Sequence, residues 1–154
     1  ARAQLSRDEL EFFRGFVPHF KIPLDFDARL LVFHGSPRSH MEDLLSTTPD
    51  GKLEQALSGH TATVMAGGHT HLQMLRQHRG ILLLNPGSVG MPFKEYVFGK
   101  EPTILHHAEY AVVHCQRGVV SVELRRVAVD KSAMRAAIAA TDNPLRASLM
   151  NQYS

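Results

Sequence analysis

Two short apolar runs, residues 28–33 and 63–66, each lead into a histidine among turn-forming residues, and the stretch between them carries helical spacing. That order limits the fold more than any other feature of the chain. The first run, Ala28-Arg29-Leu30-Leu31-Val32-Phe33, is strand-like and stops at His34-Gly35-Ser36-Pro37. Thr48-Pro49-Asp50 predicts an N-cap with proline at the first helical position, and residues 52–57 keep the helical pattern until Gly59. Thr63-Val64-Met65-Ala66 predicts a second buried strand, which runs into Gly67-Gly68-His69-Thr70-His71. Strand, helix, strand at this spacing predicts a parallel crossover, which puts both strand ends on one edge of a sheet. Open α/β sheets bind ligands at that edge, so His34, His69 and His71 are expected to converge there. On an extended chain His69 and His71 would share a face, and neutral imidazole ligates zinc, manganese, iron, nickel and copper.

A third motif follows, Asn85-Pro86-Gly87-Ser88-Val89-Gly90. In this order and approximate spacing the three segments resemble the calcineurin-like metallophosphoesterases, especially their small prokaryotic phosphodiesterase branch, over residues 24–92 directly. The resemblance implies an α/β fold of the four-layer α-β-β-α sandwich type. It also implies two divalent transition-metal ions (manganese, zinc, iron or nickel) and hydrolysis of a phosphoester, most often a diester, by metal-activated water. Carried over by motif, His34 and His69 would bind one ion and His71 the other. Asn85 is not a ligand in that pattern and is read, with Gly87 and Gly90, as shaping a supporting loop. Arg38 and His40, shortly after His34, are the candidate substrate contacts. Pro92-Phe93 stands where relatives often carry an arginine. The implied substrate is a small phosphoester or nucleotide-derived diester.

The Asp-x-His strand end, Gly-Asp motif and Asn-His pair with which the family opens do not occur in these residues. The catalytic groups are therefore expected on an N-terminal part outside this sequence, with residues 1–154 forming the C-terminal part of a single domain. The isolated chain is expected to be inactive, and its expected partner is that missing segment or a second copy. A different class of function, a non-catalytic protein-binding scaffold on the same fold, is the alternative, although a scaffold has no need of all three histidines.

Composition sets outer bounds. At 154 residues the chain has the size of one domain. Its 17 Lys and Arg against 15 Asp and Glu leave a net charge of +2, enough to favour phosphate-bearing substrates. No basic run or aromatic-interleaved basic stripe marks a nucleic-acid surface. The single cysteine, Cys115, excludes an intramolecular disulfide and fits a cytoplasmic setting, and no apolar stretch reaches membrane-spanning length.

Ser6-Arg7-Asp8-Glu9 is a capping box that predicts a helix to about Gly15, with Phe12, Phe13 and Phe16 at helical spacing as core contacts. Hairpins are predicted around Arg79-Gly80 and Arg117-Gly118, together making a second sheet. Residues 131–140 predict a helix that Asn143-Pro144 breaks before a short amphipathic tail. His106 and His107 are read as surface or loop residues.

Overall fold

A computed structural model describes residues 5–154. Its first helix follows from Ser6, whose hydroxyl accepts from the Glu9 amide while the Glu9 carboxylate accepts from the Ser6 amide. This reciprocal cap satisfies two donors that a helix start otherwise leaves bare, and α1 runs Arg7–Arg14. The expected burial of its phenylalanines does not occur. Phe12, Phe13 and Phe16 are 68%, 48% and 63% exposed, and their rings pack edge-on against each other with centroids 5.2–5.8 Å apart. With no residue of α1 buried, the rings shed water chiefly against one another.

Five strands form the main sheet in the order β1-β2-β3-β5-β4. β1 (His19–Pro23) is an antiparallel edge strand on β2 (Arg29–Phe33), and the sequence pattern did not predict it. β2 and β3 (Val64–Ala66) are parallel, joined through α2 (Asp50–Leu57), as the crossover requires. Thr48 does not cap that helix. Pro49 holds the cap position without a side-chain bond, because the Thr48 hydroxyl accepts from the Leu45 amide at 2.9 Å and so closes the preceding turn.

β4 (Met74–His78) and β5 (Ile81–Asn85) form the first predicted hairpin, turning through Arg79 and Gly80, both at positive φ, as a two-residue hairpin loop with the sheet's twist demands. The expected placement of this hairpin in a second sheet is corrected: β5 pairs in parallel with β3. Leu83 and Leu84, neighbours that point to opposite faces, are both buried, and a strand buried on both faces belongs inside a sheet. Among the described residues the second sheet consists of β6 (His107–Gln116) and β7 (Val119–Ala128).

Leu31, Phe33, Leu53, Leu57, Met65 and Leu83 join the main sheet to α2 in one core cluster; each such side chain contributes about 1.5–3 kcal/mol of apolar burial. A smaller cluster of Ile104, Ile138 and Tyr153 holds α3 (Lys131–Ala139), capped by Asp130, against α4 (Arg146–Gln152). The architecture is thus mixed α/β, with both loops after β2 and β3 leaving the same sheet edge. No helix among the described residues is long and apolar enough to cross a membrane.

Candidate functional site

The loops that leave β2 and β3 meet at once, because the Gly68 amide donates to the His34 carbonyl at 2.6 Å. Gly67 permits the approach: a Cβ there would stand 2.5 Å from the Phe33 ring. The His34 and His69 rings come together with centroids 5.1 Å apart at 65°. Burial, then the neighbouring His69, His40 and His71, hold the His34 imidazole below its ordinary pKa, which keeps a lone pair free at neutral pH.

The strand-alternation account of His69 and His71 is corrected. β3 ends at Ala66, and both histidines sit in the left-handed region, with φ of 64° and 57°, while neither Gly67 nor Gly68 does. Such backbone costs about 1–3 kcal/mol per non-glycine residue and persists only where the surroundings hold it. The hold comes from the third motif. Asn85, 1% exposed, donates to the Gly68 carbonyl at 2.7 Å and the Thr70 hydroxyl at 3.0 Å, and accepts from the Gly87 amide. Beyond it, His71 Nδ1 donates to the Met91 carbonyl at 2.9 Å, the Phe93 amide donates to the His71 carbonyl at 3.1 Å, and the Phe93 ring lies 4.7 Å from the imidazole.

The structure therefore brings His34 and His69 into contact and turns the Nδ1 side of His71 toward Met91. Among the described residues no three His, Cys, Asp or Glu side chains form a group that could hold a metal ion. The donor chemistry nevertheless fits a divalent ion. With Nδ1 of His71 engaged by the Met91 carbonyl, Nε2 is the ring nitrogen left to face a metal, and His34 presents a second imidazole donor.

Arg38 and His40 part company. The Arg38 guanidinium forms a two-pronged ion pair with Glu42 and holds that carboxyl below its usual range, while Ser36 donates to the same carboxylate at 2.6 Å. His40 instead lines a cavity of about 560 Å³ with His34 and Phe16.

Sequence inspection missed two acidic residues. Asp43 Oδ1 lies 3.5 Å from His69 Nε2, and its Oδ2 accepts from the Tyr96 hydroxyl at 2.7 Å, which raises the Tyr96 pKa. It sits in an aperiodic loop where no spacing rule would find it. Glu109 is 2% exposed and pairs with His107 at 3.0 Å and Arg126 at 3.1 Å, so His107 is no idle surface residue. This carboxylate lies under Gly87, whose φ is +84° and where a Cβ would fall 2.1 Å from Glu109 Oε2.

Comparison with known proteins bears on the family and the fold. A family model described as the calcineurin-like phosphoesterase superfamily domain matches residues 7–118. Among solved structures, a metallophosphoesterase from Sphaerobacter thermophilus is similar over 98% of this chain and 64% of its own, with a TM-score of 0.69 at 19% identity. The hypothetical protein PH1004 from Pyrococcus horikoshii OT3 is similar over 97% of this chain and 54% of its own, with a TM-score of 0.69 at 15% identity. Vps29 from Entamoeba histolytica, complexed with zinc, matches 74% of this chain and 62% of its own, with a TM-score of 0.50 at 17% identity. At these identities the likeness is one of fold, and the chain spans 64% and 54% of the lengths of the first two. No curated protein matches the sequence.

Proposed function

Because the chain belongs to the calcineurin-like phosphoesterase superfamily, we propose that it supplies one flank of a divalent-metal site for hydrolysis of a small phosphoester, a diester in the first instance. The observation that carries this is the meeting of His34 and His69 where β2 and β3 end, with their loops bonded through Gly68 and His34. His34 and His69 would hold one ion and His71 a second, from manganese, zinc, iron or nickel. When bound, such ions neutralise charge growing on the phosphoryl oxygens and acidify the attacking water.

The chain's own residues do the rest. Neutral imidazoles bind cations without adding negative charge that would repel a phosphate. The bonded backbone at His69 and His71 holds their Cα–Cβ bonds in place, and Asp43, 3.5 Å from His69 Nε2, would help to orient that ring. His40, on the cavity wall beside His34, would meet the phosphate; Arg38 would join it only by releasing Glu42. A lone cysteine fits a cytoplasmic protein.

Zinc or manganese titrated calorimetrically into the chain tests this reading. His34→Ala and His69→Ala are each expected to weaken binding at least about ten-fold, the lower end of what even an outer-shell change costs. Equal metal affinity in the double variant and the parent sequence would overturn it. The exposed Phe12, Phe13 and Phe16 face favours a second reading, a protein-binding scaffold; retention of partner binding by a variant without metal would support that instead.

A further inference from the structure

A second cavity, of about 340 Å³, is lined by His69 together with Asp43, Thr70 and residues of the segment from Phe93 to Pro102. Its volume lies at the small end of the range of about 300–1,000 Å³ for small-molecule sites. The segment is not a loose arm. The Leu105 amide donates to the Pro92 carbonyl at 2.7 Å and the Lys94 amide to the Thr103 carbonyl at 2.9 Å, which closes residues 94–103 into a loop standing on a narrow base. From that loop Tyr96 reaches across to Asp43, the carboxylate beside His69. The cavity wall and the histidine site thus share a residue.

The lining combines aromatic rings with one lysine and the Asp43 carboxylate. Phe93, Tyr96 and Phe98 all contribute, and Phe98 is 90% exposed, an arrangement that leaves a large apolar ring in water for want of something to cover it. Lys100 lines the same cavity, and among the described residues no carboxylate is ion-paired with it. Aromatic rings together with an ammonium held in no ion pair suit a planar ring attached to an anion.

Resting on the phosphoesterase reading above, we infer that the alcohol half of the substrate carries a planar aromatic ring, which stacks on Phe98 and Tyr96 while Lys100 attracts its phosphate. The chemistry matches a nucleotide, whose base can reach the rings while its phosphate meets His69, or an aryl phosphate, whose ring lies closer to phosphorus.

The probes are AMP, phenyl phosphate and ribose 5-phosphate, titrated calorimetrically into the full chain with manganese present. AMP or phenyl phosphate is expected to bind about ten-fold more tightly than ribose 5-phosphate, the scale of one stacked ring, and the tighter of the two identifies the source of the ring. Phe98→Ala, at a position too exposed to threaten folding, should remove that preference and leave ribose 5-phosphate affinity unchanged. Lys100→Gln should weaken all three. Equal binding of the three ligands, or a ring preference that survives both Phe98→Ala and Tyr96→Leu, overturns the aromatic subsite. If ribose 5-phosphate binding still depends on His34 and His69, the phosphoesterase reading stands in that case. Binding of none of the three overturns the aromatic subsite, and the phosphoesterase reading is then decided by whether metal affinity depends on His34 and His69.

Discussion

The loops at the carboxyl edge of the sheet and the face of α1 and β1 carry equally clear local signals, yet among the described residues only the former find partners for their backbone and side chains. At the sheet edge Asn85, Gly68, Thr70, His71, Met91 and Phe93 exchange hydrogen bonds across three loops. At the other face, the capping box of α1 forms in full, and still Phe12, Phe13, Phe16 and Phe20 remain in water. A cap needs only its own four residues, whereas an apolar stripe needs a surface to lie on. Local rules therefore fixed where α1 begins without fixing what it covers.

The sharpest way to break the contrast is Gly87→Ala. The substitution forces a side chain into the left-handed region and against Glu109, so the expected cost is about 3 kcal/mol. Urea unfolding measures it, and a loss below about 1 kcal/mol would show that the loop network yields easily. On the opposite face, the double change Phe12→Ser and Phe16→Ser should alter stability by no more than about 0.5 kcal/mol, because exposed sites away from special features tolerate change and the two residue types have similar helix propensity. Its visible effect should be less self-association in sedimentation; a large fall in the urea midpoint would mean that the face is covered in solution.

The smallest effect concerns His60, which meets the β1 histidine His19 ring to ring at 4.7 Å. Burial, then His19 and Lys21, lower its pKa from the ordinary 6.5. Between that depressed value and 6.5 the unfolded chain binds more protons than the folded one, so stability rises with pH through this window. His60→Gln should flatten the slope of stability against pH there; an unchanged slope would assign it to other groups.

Most of the elements and their order are legible in the sequence. Arg79-Gly80 and Arg117-Gly118 announce their hairpins because a two-residue turn at positive φ has few solutions. Which sheet a hairpin joins depends on pairing partners distant in sequence, and β5 was misassigned for that reason. β1 escaped notice because His-Phe-Lys-Ile-Pro is short, has no buried face and ends in proline, which suits an edge strand and little else. The meeting of His34 and His69 at two strand ends was legible, but the left-handed geometry of His69 and His71 was not, since Asn85 and Met91 hold it from other segments. Asp43 and Glu109 lacked any spacing signal and became visible only when loops folded over them.

The double link between His71 and the segment after it has a thermodynamic corollary. His71 gives its Nδ1 proton to Met91 and takes the Phe93 amide on its carbonyl, so the imidazole and the wall of the aromatic cavity ride on one piece of backbone. On the proposed reading, in which His71 holds a cation, whatever factor a guest resting on Phe93 applies to that hold the cation must return to the guest, because coupling between two binding events is reciprocal.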